Sequence, residues 1–237
     1  MPKRYWWVII SYIIMQFSGI LMAPLLLVTF EITRYQAVTY WAIISFILGL
    51  IVVLLLLRKD MQMTRSHEAS RVGVAVAWSI IGVFMAYFSQ GIAAMLEMQI
   101  FGIDPGSENT QNIMNIARAT PLFLLVPAII APVLEEIIFR KIIFGQLYMR
   151  TNFFIAALIS AFIFGIIHGE PQHILVYGSM GLVFAFLYVK TKRILVPIFV
   201  HAAMNSIVVL LQYNLTPEDI ERMQKQLQDL QAIIFGF

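Results

Sequence analysis

The chain has 237 residues, 60% of them hydrophobic and only 12% charged, where soluble domains carry about 25% charge, so an ordinary soluble globule is excluded and an integral membrane protein is expected. Its net charge is +3, and its lysines and arginines are scattered between apolar runs, which suits membrane topology and excludes a nucleic-acid-binding patch. There is no cysteine, which rules out thiol nucleophiles, disulfides, haem-thiolate and iron–sulfur ligation.

A helix needs about 20 apolar residues to cross the hydrocarbon core of a bilayer. Lys3 and Arg4, followed by Tyr5-Trp6-Trp7, resemble the charged flank of a signal peptide. The apolar run behind them extends to about Val28, too long for a cleaved core, and reads as a first transmembrane helix with an aromatic anchor. Further runs follow at Val38 to Leu57, Val72 to Leu96, Leu122 to about Tyr148, Phe153 to Ile167, Ile174 to Val189 and Ile194 to Tyr213. The expected fold is an all-α polytopic transmembrane helix bundle of about seven to eight membrane helices. It forms a single domain over 1–237, with a motif-bearing core at 121–213 and a tail at 214–237.

The fourth run contains Pro127 and Pro132, which predict a kink just before its charged residues, or a break into a spanning and an interfacial half. The connectors alternate between basic and neutral-to-acidic. Seven spans satisfy the positive-inside rule, with the N-terminus in the cytoplasm and the tail outside. Gly106-Ser107-Glu108 predicts the start of a short helix running to Ala117. Thr216-Pro217-Glu218-Asp219 is a helix start, with a capping threonine, proline at the first position and acids in the first turn. Ile220, Met223, Leu227, Leu230 and Ile234 then recur at helical spacing. That C-terminal amphipathic helix is expected to lie on the membrane surface or the bundle, with a dimer contact as the alternative.

Within the fourth run, Ala131-Pro132-Val133-Leu134-Glu135-Glu136-Ile137-Ile138-Phe139-Arg140 places three ionisable groups among apolar residues. Each costs about 2.5–3.5 kcal/mol at the centre of a bilayer on insertion scales. Glu136 and Arg140 stand four apart and can pair. Glu135 has no such partner, and a carboxyl in an apolar site has its charged form disfavoured, as suits a general base or acid. The plainer alternative is a buried ion pair that locks helices together, which explains Glu136 and Arg140 better than Glu135. His168 ends the fifth run. His201 and Asn205, four apart in the seventh, share a helix face. Ala157, Ala161 and Gly165 form a small-residue face suited to close helix packing. His168, Glu170 and His173 mimic metal-ligand spacing, but Pro171 interrupts them. His67 reads as solvated, and Gln16 and Gln90 as makers of interhelical hydrogen bonds.

These residues limit the hydrolytic schemes. Gly178-Ser179-Met180-Gly181 only approaches an intramembrane serine motif, no span carries an aspartate, and no His-Glu-x-x-His helix is present. What remains is a water activated by carboxylate and imidazole, with or without a metal. Glu135 and His168 could take its proton while His201 and Asn205 bond the oxyanion. Alternatively, Glu135, His168 and His201 could hold Zn²⁺.

Glu135-Glu136-x-x-x-Arg140, Phe164-x-x-x-His168 and His201-x-x-x-Asn205, in that order, resemble the three-motif signature of the CPBP family. These are the CAAX proteases and bacteriocin-processing (Abi) enzymes, which include the type II CAAX prenyl endopeptidases. The resemblance implies an intramembrane endopeptidase in which Glu135 and His168 activate water, His201 and Asn205 form the oxyanion site, and Glu136 and Arg140 support it. It leaves open a zinc-dependent or a metal-independent glutamate mechanism. The chain's size, lack of organellar targeting and simple topology suit a bacterial plasma-membrane member, embedded in lipid; since bacteria generally lack protein prenylation, the expected substrate is a membrane-associated peptide or protein rather than a prenylated one. A rival from another class is a non-enzymatic immunity factor, scaffold or small transporter using the same polar cluster. The topology sets one test. If the fifth and seventh helices start level and upright, His168 lies 18 residues past Arg150 and His201 only 8 past Arg193. That separates the two imidazoles by roughly 15 Å in depth, so a shared site requires the fifth helix to start outside the membrane, tilt or break.

Overall fold

The computed structural model describes residues 1–62, 68–104 and 106–215, with 218–219, 222–223, 225–226 and 229 of the tail. Every regular element among them is helical. His67, and the tail positions Ile220, Leu227, Leu230 and Ile234, lie outside the described residues. We number the helices α1 (Lys3–Phe17), α2 (Gly19–Thr29), α3 (Arg34–Gln62), α4 (Val72–Phe101), α5 (Glu108–Ala119), α6 (Pro121–Tyr148), α7 (Phe153–Ile166), α8 (Ile174–Thr191) and α9 (Leu195–Asn214).

All seven expected apolar runs are helical, and five are single helices long enough to span. The first run is not one straight helix: α1 and α2 meet at a 45° bend. The Ser18 hydroxyl donates to the Met15 carbonyl at 2.8 Å, and Trp41 Nε1 donates to Ser18 Oγ at 2.8 Å. A serine–glycine pair bonded back to the preceding turn is a common cause of such a bend. The fifth run, α7, has only 14 residues. The cap at Ser107 forms as expected, its side chain accepting from the Thr110 N–H, and starts α5.

Helix α6 is the axis of the bundle. Of its apolar stretch 56% is buried, against at most 33% in the other long spans, whose large apolar side chains face outward toward lipid. The span neither breaks in two nor hides another element. It is rewound along its length: a tight 3-10 turn at Pro121–Leu124, a wide π turn at Val126–Ile130, an α turn at Ala131–Glu136, a second wide stretch at Ile137–Phe144, and a last α turn. Such wide turns occur often at functional sites.

The small face of α7 packs on α8, as expected. Ala157 and Ala161 are buried. A Cβ built on Gly181 would stand 2.9 Å from Ala161 Cβ and 3.0 Å from its Cα, so only glycine allows this approach.

Contacts assign the connectors to two ends of the bundle. At one end Arg4 and Lys141 reach Asp60 at 2.6 and 3.5 Å, Ser70 N–H donates to the Thr191 carbonyl at 3.0 Å, and Arg193 bonds the Ser70 carbonyl. At the other end lie α5, the end of α4, the 167–173 turn and Leu215, whose carbonyl accepts from Arg118 at 3.2 Å.

Candidate active site

Glu135 and Glu136 are consecutive on α6, so they point in directions about 100° apart. Glu136 turns inward and is fully buried beside Arg140, with Oε2 3.1 Å from Arg140 Nε. The guanidinium is equally buried and lies against the rings of Phe164 and Phe184, 4.5 and 5.2 Å from their centroids. An ion pair taken out of water stabilises only when its geometry is good and its partners complete. Here the cation also gains the electron-rich aromatic faces.

His201 of α9 completes the pair from across the bundle. Its Nδ1 is 3.0 Å from Glu136 Oε1. A carboxylate paired with arginine can only accept, so Nδ1 carries the proton. The ring stacks on Phe184 at 4.9 Å and presents its other edge to Glu135, with Nε2 3.8 Å from Oε2. Glu135 therefore stands apart from the Arg140 pair and keeps 13% of its side chain accessible.

His168 lies in the turn after α7. Its Nδ1 is 2.7 Å from the Phe164 carbonyl, to which it donates, so Nε2 is the acceptor edge. The ring stacks on Tyr177 at 4.0 Å and meets Phe164 at 4.6 Å. The same Phe164 ring is 5.8 Å from His201. Both imidazoles therefore touch one phenylalanine, and the expected depth difference does not separate them. His168 folds back along the helix it follows, as side chains on α-helices lean toward the N-terminus.

Asn205, one turn after His201, donates from Nδ2 to the Pro127 carbonyl at 2.9 Å. Local winding explains this bond. The Ala131 N–H donates to the Val126 carbonyl, one residue further back than in an α-helix. The next donor in that register would be residue 132, but Pro132 has no N–H. The Pro127 carbonyl is left without a helical partner, and Asn205 supplies one.

Glu135, His168, His201 and Asn205 all line one cavity of about 470 Å³, walled by α1, α3, α4, α5, α6, α8 and α9. Among the described residues no three His, Cys, Asp or Glu side chains converge as a metal-ligand set. The expected zinc trio of Glu135, His168 and His201 shares the cavity but does not converge.

A second buried polar cluster adjoins the first. The acid of Glu97, expected in a connector, is buried at the end of α4 and accepts from the N–H groups of Leu175 and Val176 in the first turn of α8. Its other oxygen is 2.9 Å from His173 Nδ1, while His173 Nε2 faces the Gly106 carbonyl at 2.9 Å. Glu170 accepts from Ser107 Oγ, the Asn109 N–H and Tyr177 OH at 2.8, 3.0 and 2.5 Å. Burial works to raise the Glu170 carboxyl, but the hydrogen bonds from Tyr177, Asn109 and Ser107, with His173 nearby, hold it below its ordinary value. Tyr177 joins the two clusters, since it is the ring on which His168 stacks. The sequence held only a faint signal of this: an acid and a histidine beside predicted helix ends. The interhelical bond expected of Gln16 is not the one it makes. Gln16 bonds Tyr12 within its own helix, Gln90 lines the cavity, and Ser179 donates to the Val176 carbonyl of its own helix.

Residues 117–207, which hold all three motifs, match the family model described as type II CAAX prenyl endopeptidase Rce1-like. A protein of Bacillus subtilis (strain 168) that carries the name membrane peptidase YdiL is 48% identical over 236 residues, covering 96% of this chain and 97% of that one. The membrane-embedded CAAX protease MroQ of Staphylococcus aureus (strain USA300) is 33% identical over 230 residues, 92% of each. No solved structure matches the chain. On likeness that runs nearly end to end, the chain belongs to the Rce1-like family of membrane peptidases.

Proposed function

We propose that the protein is an intramembrane endopeptidase that hydrolyses a peptide bond in a membrane-associated peptide or protein, using a water held between Glu135 and His168. One observation carries this most: of two adjacent carboxylates, the one not spent on Arg140 lines the same cavity as an imidazole whose Nδ1 is occupied and whose Nε2 is not. Glu135 takes a proton from water, helped by the acceptor edge of His168, and the hydroxide oxygen bonds to the scissile carbonyl carbon. The carbonyl oxygen gains the negative charge. His201 Nε2, when its ring carries both protons, and the second amide hydrogen of Asn205 donate to it. The C–N bond then breaks, and the proton held by Glu135 passes to the departing amine. Glu136 and Arg140 orient His201 and touch no substrate.

No step of this scheme needs a metal. The names of the full-length relatives do not favour a non-enzymatic immunity factor, scaffold or transporter. The test is cleavage of membrane-anchored peptides by the purified protein in lipid discs. Glu135→Ala and His168→Ala should abolish product while helicity and insertion persist, and a strong chelator should leave wild-type cleavage intact. Product from Glu135→Ala would refute the base assignment. Loss on chelation with recovery on adding zinc would replace the glutamate scheme with a metal one.

A further inference from the structure

The two ends of the bundle differ in charge, and the cavity belongs to only one of them. The end joined by Asp60, Ser70 and Thr191 carries Lys3 and Arg4, then Arg58, Lys59 and Arg71, then Lys141 and Arg150, then Lys190, Lys192 and Arg193. Only Asp60 and Glu68 oppose them among the described residues of that end. The other end, up to Leu215, carries Arg34 and Arg118 against Glu31, Glu97, Asp104, Glu108 and Glu170. Lysine and arginine in short connectors set orientation, and they stay on the cytoplasmic side. The basic end is therefore cytoplasmic.

The cavity wall runs from Glu135 and His201 in mid-bundle to Glu97, Ser107, Asn109 and His173 at the other end. Along α9 it extends from His201 to Val209, which is about 12 Å of helix rise. No lysine or arginine of the basic end lines it. The inner end of the cavity is closed by the apolar cluster around Phe139, Ile142 and Leu57.

We propose that the catalytic cavity opens at the non-cytoplasmic face, beneath α5, and takes peptide segments presented from that side: a secreted peptide in the outer leaflet or the extracytoplasmic flank of a membrane protein. The class of substrate rests on the peptidase assignment above, but the opening does not, and the test reads no activity.

The chain lacks cysteine, so single cysteines report position without background. Three variants suffice: Glu108→Cys at the start of α5, Ala94→Cys on the cavity wall and Arg150→Cys at the basic end. Intact cells are treated with a small membrane-impermeant thiol reagent, and the purified protein is scored for modification. Glu108→Cys and Ala94→Cys should react in intact cells, and Arg150→Cys only after permeabilisation. Reaction of Arg150→Cys in intact cells would overturn the orientation. Failure of Ala94→Cys to react from outside, while Glu108→Cys does, would overturn the opening. If cleavage assays fail but this pattern holds, the cavity's side stands and the peptidase assignment does not.

Discussion

Arg140 is the largest fully buried side chain among the described residues, and its partners decide what single substitutions cost. Removing one member of a buried pair leaves an unpaired charge and costs about 3–5 kcal/mol. Glu136→Ala should therefore lower stability by that much, read by unfolding in mixed micelles. Glu135→Ala should cost clearly less stability than Glu136→Ala, because Glu135 stands outside the Arg140 pair, while removing activity. Two neighbouring glutamates thus separate into a stabilising one and a reacting one. This division was legible in the sequence, because the four-residue spacing of Glu136 and Arg140 is a local property of a helix. The contact of His201 with Glu136 was not, since it joins residues 65 apart, nor that of His173 with Glu97, 76 apart. Local spacing names candidates for pairing; only the packed bundle selects which helix faces which.

At the scale of the element, α6 shows how a proline acts beyond its own position. Pro132 withholds a backbone donor, and Asn205 on α9 replaces it. Asn205→Ala should cost about 1–3 kcal/mol, the range for an orphaned buried polar group. The cost should shrink in a Pro132→Ala background, where a backbone N–H returns; a double-mutant cycle measures the coupling. The α7–α8 contact supplies another case. Gly181→Ala forces a methyl against the Ala161 backbone and should cost about 1–3 kcal/mol by overpacking. Gly165→Ala should cost less, because its new methyl meets mainly the flexible end of Ile174. The run lengths, the start of α5 and the small-residue face were all readable from periodicity and capping residues. The bend at Ser18 was not, because hydropathy is continuous across it and one partner of the Ser18 hydroxyl, Trp41, sits on another helix.

For the molecule as a whole, the polar cluster at the α5 end ties α4, α5, the 167–173 turn and α8 together and sets an acid limit on stability. Glu170 is held below its ordinary value in the folded protein. A group depressed in this way contributes fully above its unfolded value, about 4.3 for glutamate, and loses that contribution as pH falls through the folded value. The melting temperature of the wild type in micelles should fall in that acid window. Glu170→Gln should melt lower at neutral pH and lack that part of the pH dependence. Loosening Glu170 also frees Tyr177, the ring behind His168, so some activity should be lost with it. Composition showed a membrane bundle at once, and three short motifs marked its centre. The second cluster stayed hidden because burial, not residue type, is what distinguishes Glu97 and Glu170 from solvated acids.

The most direct test of water activation by Glu135 is single-turnover cleavage of a membrane-anchored peptide in H₂¹⁸O, with wild type and Glu135→Gln side by side. The wild type should place one ¹⁸O in the new carboxyl terminus in the first turnover, and Glu135→Gln should form no product. Product from Glu135→Gln at a rate within about tenfold of wild type, or an unlabelled carboxyl from the wild type, would contradict it.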